Sequence, residues 1–264
     1  MSSAAVTRSQ LAADLRGLGV RGVVMVHTRM SALGWVVGGS ETVVRAVLDA
    51  LGPSGTLMAY ASWADHVYTL DDRPASYREA YRAEPPRWDP ATGEVDPHYG
   101  RIPERLRTWP GALRSVHPEA SVVAVGPQAS WLTSVHEDGY GAGSPFARLV
   151  EAGGEVLMLG APLETVTLLH HAEAIASAPG KRTITYEIAL ADGSVRSYTD
   201  IETSHGAYAY ESLGLDDDEF AVIAREALAA GIGVRGQVGA AECVLFPARE
   251  LVEFAVGWID ERFS

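Results

Sequence analysis

The residues best suited to chemistry lie in the segment Thr167-Leu168-Leu169-His170-His171-Ala172-Glu173. A helix predicted over 165–177 places Thr167 and Glu173 each three residues from His170, on one helix face. A histidine beside a carboxylate has a fixed tautomer and can act as a general base. The same spacing also suits two ligands of a metal ion. A core histidine next to a surface glutamate is the structural alternative, and the motif alone leaves it open.

A second polar segment, Asp200-Ile201-Glu202-Thr203-Ser204-His205-Gly206, follows a predicted hairpin. The hairpin strands are predicted over 183–190 and 194–200, with Asp192-Gly193 as the turn. The ends of strands are a common place for site residues in α/β folds. Glu202 can therefore orient a histidine or bind a cationic substrate. Turn formation at a solvated edge is the alternative.

The glycine-rich loop from His27 to Gly39 lies between a predicted strand and a predicted helix. Backbone N–H groups and a helix N-terminus at such a position bind anions. The loop contains neither G-x-G-x-x-G nor G-K-[ST], which excludes the dinucleotide fingerprint and the P-loop. Trp35, Val36 and Val37 add apolar surface, which favours a ligand with a phosphate and an organic arm. A purely structural turn is the alternative.

Another candidate anion segment is Arg114-Ser115-Val116-His117-Pro118. Arg114 and Ser115 can contact a phosphate, and the proline after His117 holds that histidine extended. The sequence has no G-x-S-x-G motif, and Cys243 lies in an apolar strand pattern typical of an inert thiol. These features favour direct transfer over a covalent enzyme intermediate.

Residues 62–110 interrupt the α/β pattern with aromatic, acidic and proline residues. Loops this long inside a compact domain are usually functional or mobile, so we interpret the segment as a lid or a substrate wall. Its acidic residues, among them Asp65, Asp71, Asp72 and Asp96, are candidates to attract a polycation. A packed peripheral insertion whose aromatics form a small local core is the alternative.

The elements that must position these residues follow an α/β order. Apolar runs typical of buried strands occur at 23–26, 56–60, 121–125, 155–159 and 242–245. Helical patterns occur at 8–17, 40–51, 144–151, 165–177, 216–230 and 247–263. The strand–helix–strand unit over 23–60 predicts a right-handed parallel crossover. The sequence therefore predicts one α/β domain over residues 1–264.

Composition limits the classes of partner. The chain has 264 residues, 47% of them hydrophobic, and a formal net charge of −13. That charge argues against nucleic acid and suits a cationic partner. The single cysteine excludes an internal disulfide. With no apolar run of 18 residues and no basic-then-apolar start, we expect no membrane span, no signal peptide and a cytoplasmic location.

Nine segments in register resemble the aminoglycoside 3-N-acetyltransferases, a family unrelated in fold to the common N-acetyltransferase superfamily. The resemblance covers Leu11 to Phe263, nearly the whole chain. Its motifs are V-H-T-R-M-S-A-L-G-W-V-V-G-G at 26–39, L-G-P-S-G-T-L-M at 51–58, W-D-P-A-T-G-E-V at 88–95, R-S-V-H-P at 114–118, V-G-P-Q-A at 125–129, G-S-P-F-A-R-L at 143–149, M-L-G at 158–160, T-L-L-H-H-A-E at 167–173 and E-T-S-H at 202–205.

The resemblance implies a three-layer α/β/α sandwich with a mostly parallel central sheet, an inserted substrate-side loop region and a C-terminal hairpin and helical part. It also implies acetyl-CoA near the 27–39 loop and the aminoglycoside in an acidic cleft. His170 falls on the family's catalytic histidine, Glu202 on an acidic position that supports it, and Glu173 on the glutamate of the T-L-H-x-A-E motif. Thr28-Arg29 departs from the two serines that relatives often have.

Further contacts follow from the same resemblance. The implied cofactor contacts are Thr28, Arg29, Met30, Ser31, Leu33, Gly34, Trp35, Val36, Val37, Gly38, Arg114, Ser115, His117 and Phe146. The implied substrate contacts are Trp63, Asp65, Tyr68, Asp96, Thr167 and His205.

The expected reaction is transfer of acetyl from acetyl-CoA to the 3-amino group of an aminoglycoside, by direct attack with His170 as general base. No metal is expected, and a monomer and a homodimer both remain open. One alternative is a metal-dependent hydrolase that uses His170, Glu173 and Glu202 as ligands. Another is a non-catalytic protein that binds polycations through its acidic loop.

Overall fold

The predicted apolar runs form the strands of a central sheet in the computed structural model, which describes residues 5–65, 70, 73–215 and 219–264. The strands in these ranges are β1 (Ala5–Val6), β2 (Val23–Thr28), β3 (Trp35–Val36), β4 (Thr56–Tyr60), β5 (Leu113–Arg114), β6 (Val122–Val125), β7 (Glu155–Leu159), β8 (Thr183–Ala189), β9 (Val195–Ile201), β10 (Val234–Val238) and β11 (Ala241–Pro247). The predicted hairpin is present as β8 and β9.

Several helices end at a glycine or a polar residue, as at Gly19, Gly52 and Thr108. The helices in the described ranges are α1 (Arg8–Leu18), α2 (Gly39–Leu51), α3 (Ala75–Ala83), α4 (Arg101–Arg107), α5 (Ala129–Thr133), α6 (Pro145–Glu151), α7 (Leu168–Ile175), α8 (Glu219–Ala229) and α9 (Ala248–Arg262). Helix α2 is capped by Gly38 rather than begun at Ser40, because Gly38 adopts a positive φ of 83°. The predicted start of α8 at 216 lies outside the described residues.

The central sheet has seven strands in the order β10-β11-β7-β2-β4-β6-β5. Strands β7, β2 and β4 are parallel, and the parallel β2–β4 pair agrees with the predicted crossover. Strands β5, β6, β10 and β11 join by antiparallel pairing. The prediction of a mostly parallel sheet is therefore corrected to a mixed sheet. An apolar run shows that a strand is buried but does not encode its direction.

Side chains of the central strands alternate between two hydrophobic clusters. Met25, Met58 and Met158 point into the cluster that contains helices α5 to α9. Their neighbours Val24 and Leu57 point into the cluster that contains α1, α2 and α4. Because successive side chains of a strand face opposite sides, helices cover both faces of the sheet.

The inserted segment 62–110 packs partly as core. Trp63 and Trp88 are 4% and 2% exposed and contact Tyr186, Ile188 and Tyr198 of the hairpin. Farther along, α4 packs on the central sheet through its buried apolar side chains. Trp63 and Trp88 of the insertion thus form a local core with the hairpin, whereas the turn of the insertion at 96–101 lines a cleft.

A buried polar network joins the hairpin to the central domain. Asp200 on β9 accepts hydrogen bonds from Tyr186 Oη at 2.5 Å and from the Gly139 backbone N–H at 2.9 Å. Its carboxylate also lies 3.3 Å from His117 Nε2. His117 Nδ1 accepts from the Ala120 N–H, so Nε2 carries the proton that faces Asp200. Burial raises the pKa of Asp200, but its hydrogen bonds outweigh burial and leave the pKa below the ordinary value.

Replacing Asp200→Ala should lower the free energy of unfolding by about 3 kcal/mol, because it leaves three buried donors without an acceptor. Urea denaturation at pH 7 measures the loss. Because the pKa of Asp200 is lower in the folded than in the unfolded protein, its carboxylate contributes stability that is lost as the pH falls. The difference in the free energy of unfolding between wild type and variant should therefore narrow below pH 3.8. The control is Asp192→Ala in the exposed hairpin turn. A loss no larger than the control's would contradict this role.

Candidate active site

A cleft of about 990 Å³ opens at the carboxyl ends of the three parallel strands. The ends of β2 and β4 contribute His27, Thr28 and Tyr60, and the segment after β7 contributes Ala161 and Pro162. Parallel strands end at one edge of a sheet, and ligands in open α/β sheets bind at this edge. The cleft thus lies where the fold brings together polar residues from distant parts of the sequence.

His170 and Glu173 form a hydrogen-bonded pair in the cleft wall. His170 Nδ1 lies 2.7 Å from Glu173 Oε2, and the side chains are 20% and 1% exposed. The one-turn helical spacing predicted from the sequence produces this contact. A carboxylate acceptor places the imidazole proton on Nδ1, which leaves the Nε2 lone pair for a ligand in the cleft.

Tyr210 holds the other oxygen of Glu173. Its hydroxyl donates to Glu173 Oε1 at 2.8 Å. Burial and the adjacent carboxylate raise the pKa of Tyr210 far above its ordinary value, so this tyrosine remains a donor. The buried Glu173 charge therefore has a partner on each oxygen, and its position is fixed from two sides.

Aromatic side chains surround the His170 ring. Phe220 packs edge-on with ring centroids 4.6 Å apart, and Tyr140 lies at 5.0 Å. The neighbouring His171 donates from Nδ1 to the Tyr140 carbonyl at 2.6 Å. Tyr140 Oη contacts Tyr60 Oη at 2.8 Å. These contacts fix the orientation of the imidazole and exclude solvent from one side of it.

The predicted cofactor loop divides into two parts. Residues 28–31 line the cleft, and Arg29 extends an exposed guanidinium there. Arg101 lies on the same wall, beside Gly100, whose backbone approaches the carbonyl of Thr28. Neither Arg29 nor Arg101 forms an ion pair with any residue in the described ranges, so both cations are available to an anionic ligand.

The rest of the loop lies away from the cleft. Leu33 is buried in the core, while Trp35 and Val37 are 78% and 59% exposed. Strand β3, which contains Trp35 and Val36, pairs with the N-terminal β1 instead of facing the cleft. Gly34 packs against Val6 and Ala240, and Gly38 caps α2.

The segment at 114–117 is also built into the protein interior. The Arg114 guanidinium stacks on Trp88 at 4.6 Å and donates to Ser121 Oγ and to the carbonyls of Ala61 and Gly93. Burial lowers the pKa of Arg114 to about 10.

Ser115 and His117 lie in the same interior. Ser115 Oγ accepts from the Val122 N–H and contacts His136, and His117 faces Asp200. Phe146, the remaining candidate cofactor contact, is fully buried against Tyr140. The structure does not bring these residues to the cleft.

Of the six candidate substrate contacts, Asp96 and Thr167 line the cleft. Trp63 belongs to the hairpin core, and Asp65 does not line the described cleft. Tyr68 lies outside the described residues, as do Asp71 and Asp72. His205 is exposed and borders a separate cavity of about 270 Å³.

Glu202 does not line the cleft that contains His170. Glu202 Oε1 accepts a hydrogen bond from the Ser204 N–H at 2.7 Å, the turn geometry that the sequence left as an alternative. Carboxylates that do line the cleft are those of Asp96, Glu119 and Glu164. The geometry therefore assigns the histidine to Glu173 and the acidic surface to other residues.

Comparisons with known proteins show the family of the chain. The profile of the aminoglycoside 3-N-acetyltransferase family matches residues 25–260. The chain belongs to this family. It is 52% identical to aminoglycoside N(3)-acetyltransferase VIII of Streptomyces fradiae, over 98% of this chain and 93% of that protein.

Two solved structures are similar to this aminoglycoside 3-N-acetyltransferase fold over nearly their whole length. One is described as AAC-IIIb in binary complex with CoASH, with a TM-score of 0.90, 44% identity and coverage of 99% of this chain and 98% of that chain. The other is AAC-VIa bound to sisomicin, with a TM-score of 0.89, 36% identity and coverage of 99% and 100%. The family resemblance drawn from the motifs is confirmed.

Several cleft residues of this family member escaped the sequence analysis. Tyr60 ends a strand, Tyr99 and Phe220 lie in helical segments and Tyr140 lies in a loop, and an aromatic at any of these places is equally typical of core. His27 stood in the recognised loop, but no partner at helical spacing distinguished it. Arg101 follows a glycine at positive φ in the insertion, and that local signal did not indicate a cation facing the cleft.

Neither a metal centre nor a membrane span is evident in the described part of the chain. No cluster of three or more His, Cys, Asp or Glu side chains there has an arrangement that would hold a metal ion. Nor does a helix within these ranges combine the length and hydropathy that a bilayer crossing needs.

Proposed function

We propose that this chain transfers the acetyl group of acetyl-CoA to the 3-amino group of an aminoglycoside, with His170 as general base. The observation that carries the proposal is the His170–Glu173–Tyr210 arrangement in the wall of a cleft at the carboxyl ends of the parallel strands. The bound CoASH and sisomicin of two similar structures support the identity of the two substrates.

The cleft has the chemistry that acetyl-CoA requires. Arg29 and Arg101, which form no ion pair within the described ranges, supply two cations for its phosphates, and charge-assisted contacts of this kind are strong. The buried His27 Nε2 and Thr28 Oγ1 have no hydrogen-bond partner in the described protein, so polar groups of a ligand can complete them. Acetyl-CoA, when bound, supplies an activated acetyl group as a thioester.

Negative charge suits the other substrate. The chain carries a formal charge of −13, and Asp96, Glu119 and Glu164 bring carboxylates to the cleft itself. Such a field raises the local concentration of a polycation and accelerates its association. The anionic cosubstrate must therefore depend on the nearby guanidiniums, because the overall field opposes it.

The proton transfers follow from the geometry of His170. The substrate ammonium first loses a proton to solvent, since a protonated amine has no lone pair. As the amine nitrogen forms its bond to the acetyl carbon, His170 Nε2 accepts the second proton. The carbon–sulfur bond breaks, sulfur leaves with the electron pair, and the imidazolium returns the proton to it. Glu173 stabilises the imidazolium through Nδ1–H.

The first test is CoA release. Purified protein with acetyl-CoA and a panel of aminoglycosides should release free thiol, detected with a thiol reagent, and mass spectrometry should show one acetyl group on the product. His170→Ala should reduce kcat roughly 100- to 10,000-fold in protein that circular dichroism shows to be folded, because it removes the base. Unchanged turnover in this variant would exclude His170 from the mechanism.

A second test compares the two glutamates. Glu173→Gln should lower kcat at least about 100-fold, because a neutral amide neither fixes the Nδ1–H tautomer nor stabilises the imidazolium. Glu202→Gln should change kcat less than about threefold, since that carboxylate caps a turn. Steady-state rates at saturating substrates decide the matter. A larger loss in Glu202→Gln would reverse the assignment.

A third test concerns the cleft wall that contains Arg29 and Arg101. Arg101→Gln should raise KM for acetyl-CoA roughly tenfold, the loss expected for one charge-assisted contact. With S-acetylpantetheine, which has no phosphates, wild type and variant should have the same KM. Arg105→Gln is the matched control, because Arg105 is paired with Glu41. An equal rise with both acetyl donors would show that Arg101 does not contact phosphate.

A further inference from the structure

Two buried polar atoms at the end of β2 lack partners. Neither His27 Nε2 nor Thr28 Oγ1 has a hydrogen bond in the described protein, and both residues line the cleft. A buried donor or acceptor left unmade costs free energy, and such groups in folded proteins are usually satisfied. Their position at the cleft indicates that a ligand completes them.

His27 lies on the same side of the sheet as His170. Its side chain follows Met25 by two residues and so faces the cluster that contains α7. In the strand register it is paired with Met158 of β7, and Met25 with Met58 of β4. Continuing that register places His27 beside Tyr60, whose hydroxyl meets that of Tyr140.

The contacts of Tyr60 and Tyr140 extend from His27 to the proposed general base, His170. Tyr140 packs on the His170 ring at 5.0 Å. On the other side of the strand end, Arg29 and Arg101 form the wall assigned to the phosphates. His27 therefore occupies the cleft floor between the cofactor wall and the catalytic imidazole, where the acetyl group must meet the amine.

The His27 ring is neutral at physiological pH. Burial lowers its pKa to about 4, since the interior disfavours the cation. A neutral imidazole still donates an N–H hydrogen bond and polarises a carbonyl without losing its proton. It also adds no positive charge that would repel a cationic substrate.

We propose that His27 is a catalytic residue whose Nε2–H donates a hydrogen bond to the acetyl carbonyl oxygen during transfer. The inference rests on the proposed function. As the amine nitrogen bonds to the acetyl carbon, negative charge develops on this oxygen, and His27 stabilises it without transferring a proton. When the carbon–sulfur bond breaks, the carbonyl reforms, and the amine proton reaches sulfur through His170.

The test pairs His27→Phe, which keeps the ring size but removes the donor, with His27→Gln, which restores an N–H near the same position. His27→Phe should lower kcat roughly 100- to 1,000-fold, the effect of removing one oxyanion donor, with both KM values within about threefold of wild type. His27→Gln should recover at least about tenfold of that loss. Thermal unfolding of His27→Phe should occur at an equal or higher temperature, because the variant removes an unpaired buried polar atom.

Three results would overturn the role of His27. The first is a kcat of His27→Phe within threefold of wild type. The second is a raised KM for the aminoglycoside at unchanged kcat. The third is that His27→Phe and His27→Gln lose activity, and also thermal stability, to the same extent. Wild-type protein is assayed first. No CoA release with any aminoglycoside would refute the proposed function together with this inference, whereas active wild type and active His27→Phe would refute only the inference.

Discussion

The buried carboxylate of Glu173 is the constraint on which the site depends. A charge that is 1% exposed is stable only when its oxygens are bonded, and Tyr210 and His170 are the groups that bond them. Satisfying this charge simultaneously fixes the histidine tautomer. Tyr210 in turn packs against Trp258 of α9 and Phe263, so the C-terminal helix helps to position Tyr210 and, through Glu173, the His170 ring.

Under the proposed function, the cleft accepts two substrates of opposite charge in an acidic protein. The cleft extends across the edge of the sheet, so its two walls come from helices on opposite faces of the sheet. Arg101 belongs to α4, which packs on one face, while His170 and Phe220 belong to helices on the other. Under the proposed function, Arg29 and Arg101 contact phosphate directly, whereas the net negative charge of the chain attracts the polycation.

What the sequence predicted well was local. His170 and Glu173 are three residues apart on one helix, so periodicity alone brought them together, and glycines and apolar runs marked most element boundaries. Interactions between distant residues were not predictable in this way. Tyr210 lies 37 residues from Glu173, and no pattern in the chain pairs them. The antiparallel β4–β6 pair and the exposed edge strand β10, with its alternating Val-Arg-Gly-Gln-Val, also depend on tertiary contacts.

The candidate polar residues show why residue type misled where geometry did not. His117 and Ser115 were predicted cofactor contacts, as was Thr28, whereas the neighbouring His27 was not. In the folded protein, the ring nitrogens of His117 contact the Ala120 N–H and Asp200. Ser115 Oγ accepts a hydrogen bond from the Val122 N–H and contacts His136. His27 Nε2 and Thr28 Oγ1 have no hydrogen-bond partner in the described protein. A buried polar group that is satisfied within the protein stabilises the fold, whereas one left unsatisfied lowers stability. Under the proposed role of His27, the unsatisfied atoms at the end of β2 persist because a substrate completes them.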